Sequence, residues 1–140
     1  MRVVLDSNIL FSALISPHSP PHLIFEAWRE GRFELITCQQ QLDEIRRASR
    51  SPKLQRILQG HRVGTLLNQL QQGPLIDRLP AGIQVNDPDD AFLLSLSAAA
   101  EADVLVTGDR RAGLLQMGHY GRTRIVAPIF FCREILRILT

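Results

Sequence analysis

The sequence predicts an α/β fold in which a central, mainly parallel sheet is covered by helices on both faces. Two observations carry that class. Short apolar runs rich in β-branched residues alternate with helical stretches along the chain, the pattern of strands joined by crossover helices. Two of these runs, residues 2–5 and 104–107, lead into the acids Asp6 and Asp109, and sites in open α/β sheets form at the carboxyl ends of strands.

Residues 2–5 read as a buried strand. Ile9–Ile15 is a short helix capped by Asp6, Ser7 or Asn8. Ser16-Pro17-His18-Ser19-Pro20-Pro21 is a loop running into a helix to about Glu30, entered at Ser19 or Pro20 and stopped by Gly31. Phe33–Thr37 is a second strand, and Cys38–Ser49 a helix with Leu42, Ile45 and Ala48 on one face. Ser51-Pro52 restarts a helix to Gln59, ended by Gly60, and another runs from Arg62 to Gln72, ended by Gly73. Pro74–Ile76 is a strand. Asp87–Ala102 is apolar nearly all round and reads as a buried helix. Val104–Thr107 and Arg124–Ala127 are strands, and Pro128–Leu139 is a closing helix with Pro128 in its first turn.

A chain of 140 residues, 45% of them hydrophobic, fits a single domain, 1–140, with one real core. No internal repeat, low-complexity segment or domain-sized linker interrupts it. A charged fraction of 21% argues for a folded chain rather than a disordered one. The net charge of +2 is too small to mark a nucleic-acid binder by itself. Fifteen of the sixteen basic residues are arginine, which suits bidentate phosphate recognition, although genome base composition produces the same bias. Cys38 and Cys132 lack Cys-x-x-Cys spacing and read as buried small apolar residues in a reducing compartment. The N-terminal apolar run is broken by Asp6 and Asn8, a poor signal-peptide core, and no stretch is long enough to cross a membrane. The expectation is a cytoplasmic protein.

Four carboxylates are the most informative feature: Asp6, Glu44, Asp90 and Asp109. At ~5 Å spacing each pair would repel by roughly 3 kcal/mol at an effective dielectric near 20. A fold can hold such a group together only by protonating some members or by placing cations between them. Oxygen-only ligands with room for water and phosphate suit Mg²⁺ or Mn²⁺. Each acid also has a plainer use. Asp6-Ser7-Asn8 before an apolar run is a helix N-cap signature. Glu44 can pair with Arg47, although Leu42 and Ile45 set it at the edge of the buried stripe. In Asp87-Pro88-Asp89-Asp90, Asp87 can cap, Pro88 opens the helix, and the other two favour its positive end. One acid would satisfy that cap, and three exceed it. Spacing puts Asp87 and Asp90 on one face and does not choose between them. Asp109, after Thr107-Gly108, can be a turn residue. Joint placement, not any single acid, points to a metal site.

Residues 45–76 contain no acid but hold Arg46, Arg47, Arg50, Lys53, Arg56 and Arg62, either a clamp for a nucleic-acid backbone or a solvated helical face. Arg110 and Arg111, beside Asp109, are better placed to reach a scissile phosphate. His18 and His22 have zinc-pair spacing, but Pro20 and Pro21 separate them and no third ligand is near. Ile24, Phe25 and Trp28 fit the core or a dimer face.

Taken in order, Asp6-Ser7-Asn8-Ile9-Leu10, Glu44 on its helix, Asp89-Asp90-Ala91-Phe92-Leu93, Val106-Thr107-Gly108-Asp109 and Arg124-Ile125-Val126-Ala127-Pro128 resemble the motifs of PIN-domain proteins. The likeness is strongest to the VapC toxins of toxin–antitoxin systems. It spans nearly the whole chain, with residues 50–85 least diagnostic. It implies a three-layer α/β/α fold and Mg²⁺- or Mn²⁺-dependent cleavage of single-stranded RNA. By that resemblance Asp6, Glu44, Asp90 and Asp109 are metal ligands and catalytic acids. Asn8 and Thr107 become polar supports of the site, and Asp87 or Asp89 stands behind it. An antitoxin protein and a homodimer are the implied partners. The chain departs from the family after Thr107-Gly108-Asp109, where Arg110-Arg111-Ala112-Gly113-Leu114-Leu115 lacks the further acid often found there.

Two other functions compete. A degenerate PIN domain would bind RNA or protein without cutting, which the four acids argue against. A receiver-like phospho-signalling domain also groups acids around Mg²⁺, but it needs a lysine after a late strand. The only lysine here is Lys53, in a helical region.

Overall fold

The computed structural model describes residues 1–80, 83, 85, 87–108 and 113–139. Its central sheet is built on β1 (Arg2–Leu5), which pairs in parallel with β2 (Glu34–Leu35) on one side and β5 (Val104–Val106) on the other. β7 (Thr123–Val126) adds to β5 in parallel, and β6 (His119–Tyr120) closes that edge antiparallel to β7. A separate parallel pair joins β3 (Thr37–Cys38) to β4 (Leu75–Ile76). The helices are α1 (Ser7–Ile15), α2 (Pro20–Arg29), α3 (Gln39–Ser49), α4 (Pro52–Gln55), α5 (Gly60–Gln72), α6 (Pro88–Ala99), α7 (Leu114–Met117) and α8 (Pro128–Phe130), the last passing into a π-helical turn, Phe131–Ile135.

Alternation along the strands divides the core in two. Val3, Leu5, Val104, Val106 and Val126 face a cluster formed with α1, α2, α3, α5 and the C-terminal turn. Val4, Leu105 and Ile125 face a second cluster, filled by Leu93, Leu94 and Leu96 of α6 and Leu114 of α7. Strands buried on both faces must be apolar throughout, which is why β1 and β5 read as unbroken apolar runs. The result is the three-layer α/β/α arrangement expected, with helices on both faces of a mostly parallel sheet. Among the described residues no helix is long and apolar enough to cross a membrane.

Most elements fall where the sequence put them, and four differences have physical causes. The strand expected over Phe33–Thr37 splits at Ile36. Leu35 pairs with Val3, but Thr37 pairs with Leu75, because β1 turns into α1 after Leu5. The helix expected to reach Gln59 stops at Gln55, where Leu58 turns into the core, and Gly60 begins α5 instead of ending α4. The closing helix widens after Phe130, so that Phe131, Cys132 and Leu136 all face inward, with the Leu136 N–H donating to the Phe131 carbonyl at 2.8 Å. α7 and β6 are additional elements, a single helical turn and a two-residue strand, too short to have a periodicity. Gly31 does stop α2, in a left-handed conformation (φ 77°) that glycine adopts without strain.

The apolar residues of α2 are used inside the chain: Ile24 and Phe25 are buried, and Leu23 and Trp28 pack against the same cluster. Cys38 and Cys132 are buried free thiols, as expected.

The sheet end remote from the candidate site is tied by Asp103, which accepts from the Arg2 N–H at 2.8 Å and from Arg122 Nη2 at 2.7 Å. The Arg2 backbone bond first, and Arg122 after it, hold the Asp103 carboxyl below the usual carboxylate range. A depressed pKa stabilises the fold above the unfolded value, and that contribution is lost as pH falls through the folded one. Asp103→Asn should therefore cost about 1 kcal/mol at neutral pH, the scale of exposed pairs. Urea melts should show the difference shrinking as pH drops below about 4.

Candidate active site

The carboxylates gather where β1 and β5 end. Parallel pairing of the two strands continues one residue beyond β1, the Asp6 N–H donating to the Val106 carbonyl at 3.0 Å. Asp6 then caps α1, its Oδ1 accepting from the Asn8 N–H at 3.2 Å, while Oδ2 accepts from the Thr107 hydroxyl at 3.0 Å. The cap and the metal-ligand readings of Asp6 are compatible, since the capping side chain also lines a cavity. That cavity, of about 160 Å³, is walled by Asp6, Ser7, Asn8, Glu44, Asp89, Asp90, Phe92 and Leu93.

α6 places its three acids differently. Asp87 is its N-cap, with its carboxylate accepting from the Asp89 N–H at 2.8 Å, and it is not on the cavity wall. Asp89 and Asp90 are, from the first turn, and Asp90 is only 4% exposed. The helix N-terminus favours both negative charges. Glu44 reaches the cavity from the middle of α3, between the fully buried Leu42 and Ile45. Burial pushes its carboxyl pKa up, a hydrogen bond from Ser7 opposes this, and the charges of Asp89 and Asp6 raise it further. Arg47 pulls it down, more weakly than those acids raise it.

Two contributors have no counterpart in the sequence reading, Ser7 and Gln41. Gln41 is buried on α3, one turn before Glu44, and its amide donates to the Leu5 carbonyl at 2.8 Å and to Ser7 Oγ at 3.3 Å. Its one sequence signal is a neutral polar residue one turn before Ile45 on the buried stripe.

The basic residues divide. Arg46 pairs with Asp43 at 3.3 Å, and with Arg50 it lines a second groove, of about 450 Å³, between α3, α4 and α5. Arg47 is exposed and is the residue of this stretch that acts on Glu44. Arg62 donates to the Leu14 carbonyl at the end of α1 and serves the scaffold. His18 and His22 meet edge to face at 6.5 Å between ring centroids. Asp109, Arg110 and Arg111 lie outside the described residues.

Hard oxygen donors around one cavity of about 160 Å³, with no Lys, Arg or His on its wall among the described residues, are the donor set a divalent cation takes. Among those residues no three acidic, His or Cys side chains stand close enough together to hold an ion. A cation here would therefore be reached partly through water, as Mg²⁺ commonly is.

The PIN-domain family model matches residues 2–111. The chain belongs to the PIN-domain family. It is also 29% identical over 112 residues to an uncharacterized protein of Methanocaldococcus jannaschii, a match covering 79% of this chain and 72% of that protein. PIN domains are generally a nuclease fold and typically use divalent metals, which supports a hydrolase of some kind.

The raised pKa of Glu44 has a measurable consequence for this PIN domain. A carboxyl that binds its proton more tightly when folded destabilises the fold as pH rises above its unfolded value, near 4.3. Glu44→Gln removes the charge and keeps an acceptor for Ser7. Melts in chelator should give the variant the higher Tm at pH 7.5, with the advantage fading at pH 4.

Proposed function

We propose that this chain is an endoribonuclease that cleaves single-stranded RNA with Mg²⁺ or Mn²⁺, and that it is the toxin of a toxin–antitoxin pair. The observation that carries the nuclease reading is the cavity at the ends of β1 and β5, walled by Asp6, Glu44, Asp89 and Asp90 without a basic side chain among the described residues. Asp6, Glu44 and Asp90 would hold the cation, with Asp109 as the expected fourth acid. When bound, the cation supplies Lewis acidity toward water and a phosphoryl oxygen.

The chain's own residues fix the acids. Thr107 and the start of α1 orient the two oxygens of Asp6. The first turn of α6 delivers Asp90 into a nearly water-free position. Phe92 and Leu93 give the cavity an apolar side, which strengthens charge interactions within it. Exposed Arg47 stands ready for the phosphate backbone. The toxin role rests on the VapC-like order of motifs. An antitoxin would then bury a flexible tail against this cavity and exclude RNA.

The purified protein should cleave unstructured RNA in Mn²⁺ and stop on addition of EDTA. Asp6→Asn should lower the rate by at least about 100-fold, the effect of a few kcal/mol of lost charge stabilisation, with the fold intact by circular dichroism. Cleavage that survives chelation overturns the metal reading.

For the toxin role, inducing the wild type alone should arrest growth. Asp6→Asn, or co-expression with the adjacent gene, should restore it. Equal growth in all three strains points to a PIN domain with another task.

A further inference from the structure

The groove between α3, α4 and α5 contains a glycine that the fold itself does not use. Gly64 lies in the interior of α5, where only proline is a poorer helix former. Its φ is not positive, and a Cβ at this position would meet no heavy atom within 4 Å. Neither conformation nor internal packing calls for glycine there. Gly60, Val63, Gly64 and Leu67 follow i, i+3, i+4, i+7 spacing and form one wall of the groove, whose volume is about 450 Å³. The side chains missing at Gly60 and Gly64 deepen it, and Val63, Leu67 and Leu58 give it an apolar lining. Since about 150 Å³ takes up a benzene ring, the groove has room for roughly two or three apolar side chains.

The opposite wall is α3, which presents Arg46 and Arg50 one turn apart. Arg46 is half-buried and held by Asp43, whereas the exposed Arg50 guanidinium makes no ion pair or hydrogen bond among the described residues. No acid stands on the groove wall among those residues, and residues 45–76 contain none. The charge therefore calls for an acidic occupant, and the apolar lining for one with hydrophobic anchors. A nucleic acid fits less well. No aromatic side chain lines the groove among the described residues to stack a base. Glu44 and Arg46 also stand one residue before and one residue after the buried Ile45, so the cavity and the groove open on opposite flanks of α3.

We propose that this groove docks an acidic amphipathic helix of a partner protein. Its apolar anchors lie over Val63 and Leu67, and two carboxylates one turn apart face Arg46 and Arg50. The partner backbone approaches α5 at Gly64, where no side chain holds it off. The docking does not rest on the nuclease reading, because the acids of the cavity take no part in it.

The probe is a phage-displayed library of a small helical scaffold, randomised along one helix face and selected on the full chain. Enriched helices should carry Leu, Ile or Phe anchors beside Asp or Glu one turn apart. An enriched helix, made as a fluorescent peptide, should bind Asp6→Asn as tightly as the wild type. It should lose at least about 10-fold in affinity on Gly64→Leu, which fills the groove, and on Arg50→Glu, which reverses its charge. Gly64→Ala should raise Tm by about 3 °C, since the fold gains a better helix former. A lower Tm in Gly64→Ala gives the glycine an internal role and overturns the proposal. So do a selection that enriches no helix or basic ones, undiminished binding to Gly64→Leu and Arg50→Glu, and displacement of the peptide by unstructured RNA, which assigns the groove to nucleic acid.

Discussion

The register between β1 and β5 is the constraint on which the rest depends. Leu5 sits opposite Val106, so the next backbone bond, from the Asp6 N–H to the Val106 carbonyl, falls where both strands are ending. Asp6 is thereby held at the carboxyl end of β1, on the cavity wall. The same register brings Thr107 beside it, with its hydroxyl on Asp6 Oδ2. A slip of one residue would exchange the two faces of β1, sending Val4 toward α1 and Val3 toward α6, and would carry Asp6 away from Thr107. Burial on both faces makes such a slip costly, so the core that holds the sheet together also sets the geometry of the site.

Arginine has two distinct uses in this chain. Among the described residues three guanidinium groups end on helix C-terminal carbonyls: Arg2 on Ala100 after α6, Arg62 on Leu14 of α1, and Arg32 on Leu136 after the π-helical turn. A planar fork of donors at the negative end of a helix satisfies carbonyls that the helix itself leaves open. Arg62 therefore leaves the basic stretch read from the sequence, and Arg46 is engaged with Asp43. Composition could not have separated these roles, because the partner of each scaffold arginine is a backbone carbonyl distant in sequence.

What the sequence made legible follows the same division. Asp6 could be found because it ends an apolar run, and Glu44 because it borders the stripe formed by Leu42 and Ile45. Spacing narrowed the α6 acid to Asp87 or Asp90, and of the two only Asp90 is on the cavity wall. Ser7 stayed hidden inside a capping signature, and Gln41 beside a buried stripe, since their partners come from β1 and from a residue before α3. The π-helical turn was invisible because Phe131, Cys132 and Leu136 are compatible with an ordinary helix until the backbone is seen. α7 and β6 are each shorter than the window in which a period can be read, and Gly113 and Gly118 enclose α7 in left-handed conformations.

The acids around the cavity are tolerated for unequal reasons. Asp6 is the N-cap of α1, and Asp89 and Asp90 occupy the first turn of α6, so two helix N-termini converge on the cavity wall. Each offers partial positive charge worth about 0.3–1 kcal/mol to an anion at its end. Glu44 has no such support. It projects from the middle of α3, where burial and the charges of Asp89 and Asp6 all oppose its ionisation. The Ser7 hydroxyl is the neutral group set against them. The buried polar chain from Thr37 through Gln41 to the Leu5 carbonyl and Ser7 joins α3 to the end of β1, beside the packing of Leu42 and Ile45.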